Sequence, residues 1–254
     1  RDKKALPWLG TAILSLERYA RHLAILGGTG AGKTQIILSI FIPAYKRRDK
    51  MVFHDVKGDW TSWIPDALLL APADARTAIW DIAADLTSRS AVREFASFLV
   101  PDNKGDSDSF WVDAPRLMVT GFIESLREKK GNEWGWHDLA EINLLTIEDW
   151  HELLEEYYPN AAAIVEKATN MNQSLNATIK AKLDIICDLA NAWDMDTEGK
   201  EKIALKQWML DDDPKHRVLI FQNNKEIDQV SRFWIGAAFN VLGAVATGPK
   251  KSKE

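Results

Sequence analysis

Three features of the sequence predict an α/β fold with a mainly parallel sheet, interrupted by an inserted all-α subdomain. The first hundred residues alternate short apolar runs with stretches of helical spacing. A glycine-rich loop separates the first such run from the first helix. A long tract of purely helical patterning then parts these elements from a last apolar run, Val218, Leu219, Ile220 and Phe221.

Leu23, Ala24, Ile25 and Leu26 make the first expected strand. Directly behind it, Gly27, Gly28, Thr29, Gly30, Ala31, Gly32, Lys33 and Thr34 fit the pattern G-x-x-x-x-G-K-[ST]. A triphosphate must be wrapped by backbone N–H groups, and residues without a β-carbon let the backbone come that close. Lys33 is expected at the β- and γ-phosphates, where it stabilises charge, and the Thr34 hydroxyl on a magnesium ion that bridges them. Gln35 completes the nucleotide-binding set in the first turn of a helix whose N-terminus points at the anion. The loop thus predicts a P-loop NTPase core with ATP and Mg2+ as cofactors. Its helix is expected from Lys33 to about Tyr45, kinked or shortened by Pro43.

Met51, Val52, Phe53 and His54 form the second expected strand, which ends in Asp55 and the turn Val56, Lys57, Gly58 and Asp59. Ligands of open α/β sheets sit at the carboxyl ends of the strands. Two roles are therefore open for Asp55: orienting a water or holding one on the magnesium ion, and capping its own turn. Ala67, Leu68, Leu69 and Leu70 read as a third strand. From Ser88 onward Val92, Phe95, Ala96 and Leu99 recur with helical spacing, and a polar loop follows. Further helices are expected over 110–128, after Thr146 with Asp149 closing a capping box, and over about 173–189, with no strand before Val218. A helix over 230–245 follows that strand. Residues 106–174 are taken as the insert, and 1–105 with 175–254 as the two parts of the nucleotide-binding domain.

Composition narrows the classes. With 254 residues and 46% hydrophobic content the chain can bury a sizeable core. A lone cysteine, Cys187, excludes an internal disulfide framework, suits a reducing cytoplasm and is expected as a small buried residue on a helix. The net charge of −5 argues against a uniformly basic nucleic-acid binder and leaves a local positive patch open. The clusters Lys46-Arg47-Arg48, Lys129-Lys130 and Lys250-Lys251 with Lys253 default to solvated faces. The stretch 233–248 is apolar but interrupted by Asn240, and is expected as a buried helix rather than a membrane span. Of the 11 tryptophans, Trp60, Trp63, Trp111, Trp134 and Trp136 have polar neighbours and the chemistry to stack on bases; most are expected in packing. The start at Arg1, without methionine, implies residues missing in front.

ATP hydrolysis in this class also needs an acidic residue at the end of another strand. None of the expected strands supplies a convincing one: His54 interrupts the run before Asp55, Leu70 leads into Ala71 and Pro72, and Phe221 into Gln222, Asn223 and Asn224. Either nucleotide binds without efficient turnover, or the acidic strand lies past Glu254.

The order of these motifs resembles the conjugative coupling proteins of type IV secretion systems, hexameric DNA-translocating ATPases that join a relaxase-bound plasmid to the transfer channel. The likeness rests on the phosphate loop, the turn from Asp55 to Asp59, and the segment Leu70-Ala71-Pro72-Ala73-Asp74-Ala75-Arg76 leading to Trp80-Asp81-Ile82. It continues through the helical insert and Leu205-Lys206-Gln207-Trp208-Met209, which is similar to the family's short lead into a strand. The resemblance implies a RecA-like core and an ATPase whose general base lies outside this chain. It also implies a fragment without the membrane anchor and the second half of the motor. Implied partners are DNA, the relaxase complex, channel proteins and further copies in a homo-hexamer, at the cytoplasmic face of the bacterial inner membrane. By the same likeness, residues 106–168 meet incoming substrate, and Asp74 with Arg76 forms a structural ion-pair corner. Two other readings stay open: a nucleotide-gated adaptor for protein cargo, and a segregation or repair translocase. A small-molecule kinase has no visible acceptor site or lid.

Overall fold

The computed structural model describes residues 6–7, 13–15, 17, 23–102, 109–165, 170–193 and 199–248. Asp106, Ala168 and the basic cluster from Lys250 to Lys253 lie outside the described residues. The chain divides into two compact units, Arg1–Met51 and Val52–Glu254.

In the first unit β1 (Leu6–Pro7) pairs antiparallel with β2 (Ile13–Leu14), and α1 (Lys33–Lys46) lies against β1. The expected strand 23–26 does not form. A strand exists through its ladder partner, and among the described residues none pairs with this segment; Leu26 is 91% exposed. Pro43 does not end α1. It removes one rung by lacking an N–H, but the ladder resumes as Arg47 N donates to Pro43 O at 3.1 Å.

The second unit is built on a three-stranded sheet in the order β3 (Met51–Asp55), β7 (Val218–Gln222), β4 (Leu68–Leu70), with β4 parallel to β7. Leu68, Leu69, Leu70 and the run from Val218 to Phe221 are all buried, which is why both strands read as unbroken apolar runs instead of alternating. A second parallel pair joins β5 (Ile79–Trp80) to β6 (Lys202–Ile203). The helices in chain order are α2 (Asp59–Trp63), α3 (Ile82–Asp85), α4 (Arg89–Leu99) and α5 (Phe110–Lys130). They continue as α6 (Trp136–Glu141), α7 (Ile147–Tyr157), α8 (Pro159–Val165), α9 (Asn170–Trp193), α10 (Leu205–Leu210) and α11 (Asp228–Thr247).

Local signals fix several ends. Ser88 caps α4 by accepting from Ala91 N at 3.2 Å, and the α4 residues buried are Val92, Phe95, Ala96 and Leu99, the periodic set. Thr146 and Asp149 form the capping box of α7. A further expectation is corrected: Lys202 and Ile203 form a strand where none was expected before Val218. Residue 174 falls inside α9, which runs on to Trp193. The segment from Leu205 to Met209, the lead into the strand at Val218, is helix because the buried Asp85 carboxylate caps its first N–H groups.

Aromatic rings tie the helical block to the sheet. Trp80, Trp136, Trp193, Trp234 and Phe221 follow one another with ring centroids 5.0–5.7 Å apart. The polar N–H of each of the first three has a partner: Asp85, the Trp80 carbonyl and Thr77 in turn. Trp134 and Trp136 are both buried core residues. Trp111 packs edge-on to Phe110, Trp60 stacks on Phe53 at 4.3 Å, and only Trp63 of the five is strongly exposed, at 47%. Cys187 is half-buried on α9. The span Lys225–Thr247, which contains α11, is long and apolar enough to cross a membrane by composition, and half of its most apolar stretch is buried within the protein, with Phe233, Trp234, Ala238 and Leu242 inside.

Gly121 marks where α5 meets α7 and α8. A β-carbon there would lie 2.6 Å from Leu154 Cδ2 and 3.1 Å from Ala161 Cβ. Overpacking costs about 1–3 kcal/mol and outweighs the ~1 kcal/mol that alanine gains as a helix former. Gly121→Ala is therefore expected to lower the melting temperature by about 2–4 °C in a thermal scan; a rise would show that the three helices separate at no cost.

Candidate nucleotide site

The loop ahead of α1 owes its shape to glycine. Gly30 and Gly32 have φ of 80° and 78°, and Gly32 is the N-cap of α1 in the left-handed region, where a β-carbon would clash with the backbone. A tight turn closes as Ala31 N donates to Gly28 O at 3.3 Å. Lys33 Nζ then reaches back and donates to Gly27 O at 2.7 Å and Gly28 O at 2.6 Å. The ammonium is thus held inside the curl of its own loop, on the side of the helix N-terminus.

The residues expected to bind nucleotide, Gly27, Gly28, Thr29, Gly30, Ala31, Gly32, Lys33, Thr34 and Gln35, are contiguous in this loop and first helical turn. Thr34 and Gln35 are exposed. The first turn of α1 carries no acidic residue, so its free N–H groups and positive dipole end face no competing negative charge from that turn. These features fit a phosphate chain. Among the described residues no three His, Cys, Asp or Glu side chains gather as a metal-binding group. A magnesium ion here would rest on Thr34 together with phosphate oxygens, the usual partial ligand set for this ion.

Asp55 belongs to the second unit, at the carboxyl end of β3. Its side chain is only 2% exposed, and both oxygens are engaged by its own turn. Oδ1 accepts from Gly58 N at 2.9 Å and Lys57 N at 3.3 Å; Oδ2 accepts from Thr61 N and Thr61 Oγ1, both at 3.0 Å. Four hydrogen bonds fill the four lone-pair positions of a carboxylate. Asp55 therefore caps its turn. Gly58, with φ of 82°, makes that turn possible.

The corner after β4 is an ion pair. Arg76 grips Asp74 through Nε to Oδ1 at 3.0 Å and a second nitrogen to Oδ2 at 2.7 Å, and the guanidinium holds the Asp74 carboxyl below the ordinary carboxylate range. Sequence reasoning missed Asp85, which is fully buried. Its carboxylate accepts from Trp80 Nε1 at 2.7 Å and from Leu205 N and Lys206 N at 2.8 Å. Nothing in the local pattern around Asp85 signals partners 120 residues away.

The chain is similar to known proteins. The model of the type IV secretion-system coupling protein DNA-binding domain matches residues 8–252. Coupling protein TraD of Escherichia coli (strain K12) is 24% identical over 245 residues, which cover 92% of this chain and 32% of TraD. The conjugative coupling protein TrwB in its unbound monoclinic form superposes with a TM-score of 0.76 at 19% identity, over 100% of this chain and 58% of that one. TrwB in complex with ADP and Mg2+ gives a TM-score of 0.67 at 19% identity, over 89% and 53%. The chain thus spans about a third of TraD and just over half of the TrwB chains. The TrwB likeness shows the fold, an α/β P-loop NTPase core of the RecA-like kind. Loop, fold and family match agree that the chain belongs to the type IV secretion-system coupling proteins.

Proposed function

We propose that this chain is the nucleotide-binding motor portion of a coupling protein that uses ATP hydrolysis to deliver relaxase-bound plasmid DNA to a type IV secretion channel. The observation that carries the reading is the glycine-turned loop with Lys33 held inside it at the start of α1. TrwB, which shares the fold, has been solved with ADP and Mg2+ and with a non-hydrolysable ATP analogue, which supports ATP and Mg2+ as the ligands. On binding, phosphate oxygens replace the Gly27 and Gly28 carbonyls as partners of Lys33, while the loop N–H groups and the α1 dipole take up the remaining charge. Magnesium, when bound, neutralises the β- and γ-phosphates; Thr34 orients it. The whole protein acts as a homo-hexamer at the cytoplasmic face of the bacterial inner membrane, with DNA, the relaxase complex and channel proteins as partners.

A fluorescent ATP analogue titrated into the chain, with and without magnesium, tests the reading. Absence of binding under both conditions would refute it. Thr34→Ala is expected to abolish most of the magnesium-dependent gain in affinity while leaving magnesium-free binding close to wild type. Equal loss in both conditions would remove Thr34 as a metal ligand.

The net charge of −5 favours a second reading, an adaptor that recruits protein cargo under nucleotide control. Hydrolysis by the full-length protein separates the two, since a motor on DNA is stimulated by DNA at low salt and an adaptor is indifferent to it.

A further inference from the structure

The residues that follow the three strands of the main sheet meet in one cleft of about 300 Å³. Lys57 comes from the end of β3, Pro72 and Asp74 from the end of β4, and Gln222, Asn223 and Lys225 from the end of β7. The carboxyl ends of open α/β sheets are where such folds take their ligands.

The charge of this cleft is positive in a protein whose net charge is −5. Asp74 is neutralised by the two-point grip of Arg76, and Asp55 beneath the turn has both oxygens engaged and buried. Lys57 and Lys225 are both exposed, and among the described residues neither ammonium enters an ion pair. Two uncompensated cations therefore flank a wall of side-chain amides. The buried Oδ1 of Asn223 has no hydrogen-bond partner within the protein, so this side chain is left with unused hydrogen-bonding capacity at the cleft wall. Gln222 is held close over the turn: its Nε2 lies 3.2 Å from where a β-carbon on Gly58 would stand. Two lysines and two side-chain amides lining one pocket are the kinds of group that hold a phosphoryl oxygen cluster.

We propose that the cleft between the carboxyl ends of β3, β7 and β4 is a second phosphate site, formed by Lys57, Lys225, Gln222 and Asn223 and sharing no residue with the loop at Gly27 to Thr34. Its ligand is a phosphate group, which a free nucleotide and a nucleic-acid backbone both offer.

Pyrophosphate titrated calorimetrically into the chain at low salt decides it. The intact chain is expected to bind two pyrophosphates, and Lys33→Ala and Lys57→Gln/Lys225→Gln one each. Lys57→Arg/Lys225→Arg should keep both, since charge and donors survive. Both lysines are exposed, so circular dichroism should show the fold unchanged. If Lys57→Gln/Lys225→Gln binds as many pyrophosphates as the intact chain, the cleft site is overturned. If those lysines remove a site and Lys33→Ala does not, the cleft stands and the phosphate-loop reading falls. A short single-stranded oligonucleotide then names the source. At least an approximately tenfold loss of its affinity in Lys57→Gln/Lys225→Gln assigns a backbone phosphate, and unchanged affinity assigns a free nucleotide.

Discussion

Asp85→Ala is expected to cost roughly 4 kcal/mol of stability, which would leave the protein at or near the edge of folding. The substitution strips the acceptor from three donors at once, the indole N–H of Trp80 and the backbone N–H groups of Leu205 and Lys206. Each buried donor left without a partner costs about 1–3 kcal/mol. The lysine side chain of Lys206, which also reaches the Asp85 carbonyl, loses its guide to that spot. Asp85→Asn should be milder, because the amide oxygen can still accept while its NH2 group faces a donor. Burial pushes the Asp85 carboxyl above its ordinary value, so it binds a proton more readily in the folded state than in the unfolded chain. The residue's contribution is fully present below the unfolded value and is lost as pH rises through the folded one. The gap in denaturant midpoint between wild type and Asp85→Asn should accordingly be widest in acidic buffer and narrow toward neutral pH. A gap that widens instead would mean that the hydrogen bonds to the carboxylate outweigh its desolvation.

Lys33→Ala is expected to lower ATP affinity about a hundredfold with no change in melting temperature, since charge-assisted bonds to phosphate contribute about 1.5–3 kcal/mol. In the folded chain Lys33 bonds only to carbonyls of its own loop, so little packing is lost with it. Binding of a fluorescent nucleotide and a thermal scan on the same sample separate the two effects. Full affinity in the variant would show that the loop does not hold phosphate; a lowered melting temperature would show that the lysine braces the loop.

The parts of the fold that were legible in the sequence are those set by neighbours along the chain. The spacing of Val92, Phe95, Ala96 and Leu99 gave the buried face of α4, and Thr146 with Asp149 gave the start of α7. The glycine pattern gave the loop around Lys33, because positive φ at Gly30 and Gly32 is a local demand. What depends on distant partners could not be read. Lys202 and Ile203 form a strand only because Ile79 and Trp80 lie beside them, and two residues carry no periodicity. Leu205 starts a helix because a carboxylate 120 positions earlier caps it. Leu23 to Leu26 had the composition of a strand, but composition does not supply a partner. At the site, the phosphate loop was evident and the cleft was not, since Lys57 and Lys225 are brought together only when β7 enters between β3 and β4.

That strand order has a consequence for how the protein is made. β3 and β4 leave the ribosome early, yet neither pairs with the other, because the strand that joins them is β7. At about 5–20 residues per second, β7 follows β4 after roughly seven to thirty seconds. During that interval the apolar Leu68, Leu69 and Leu70 present unpaired edges, the kind of surface that associates with other chains. The helical block emerges in the same interval. In the finished fold Ile79 lies beside Lys202, so a helical block that makes its own contacts first would hold the nascent chain near the waiting strands. Slow synthesis through the helical block should then favour soluble product, and mutations that loosen it should show first as aggregation during expression rather than as a change in the finished protein.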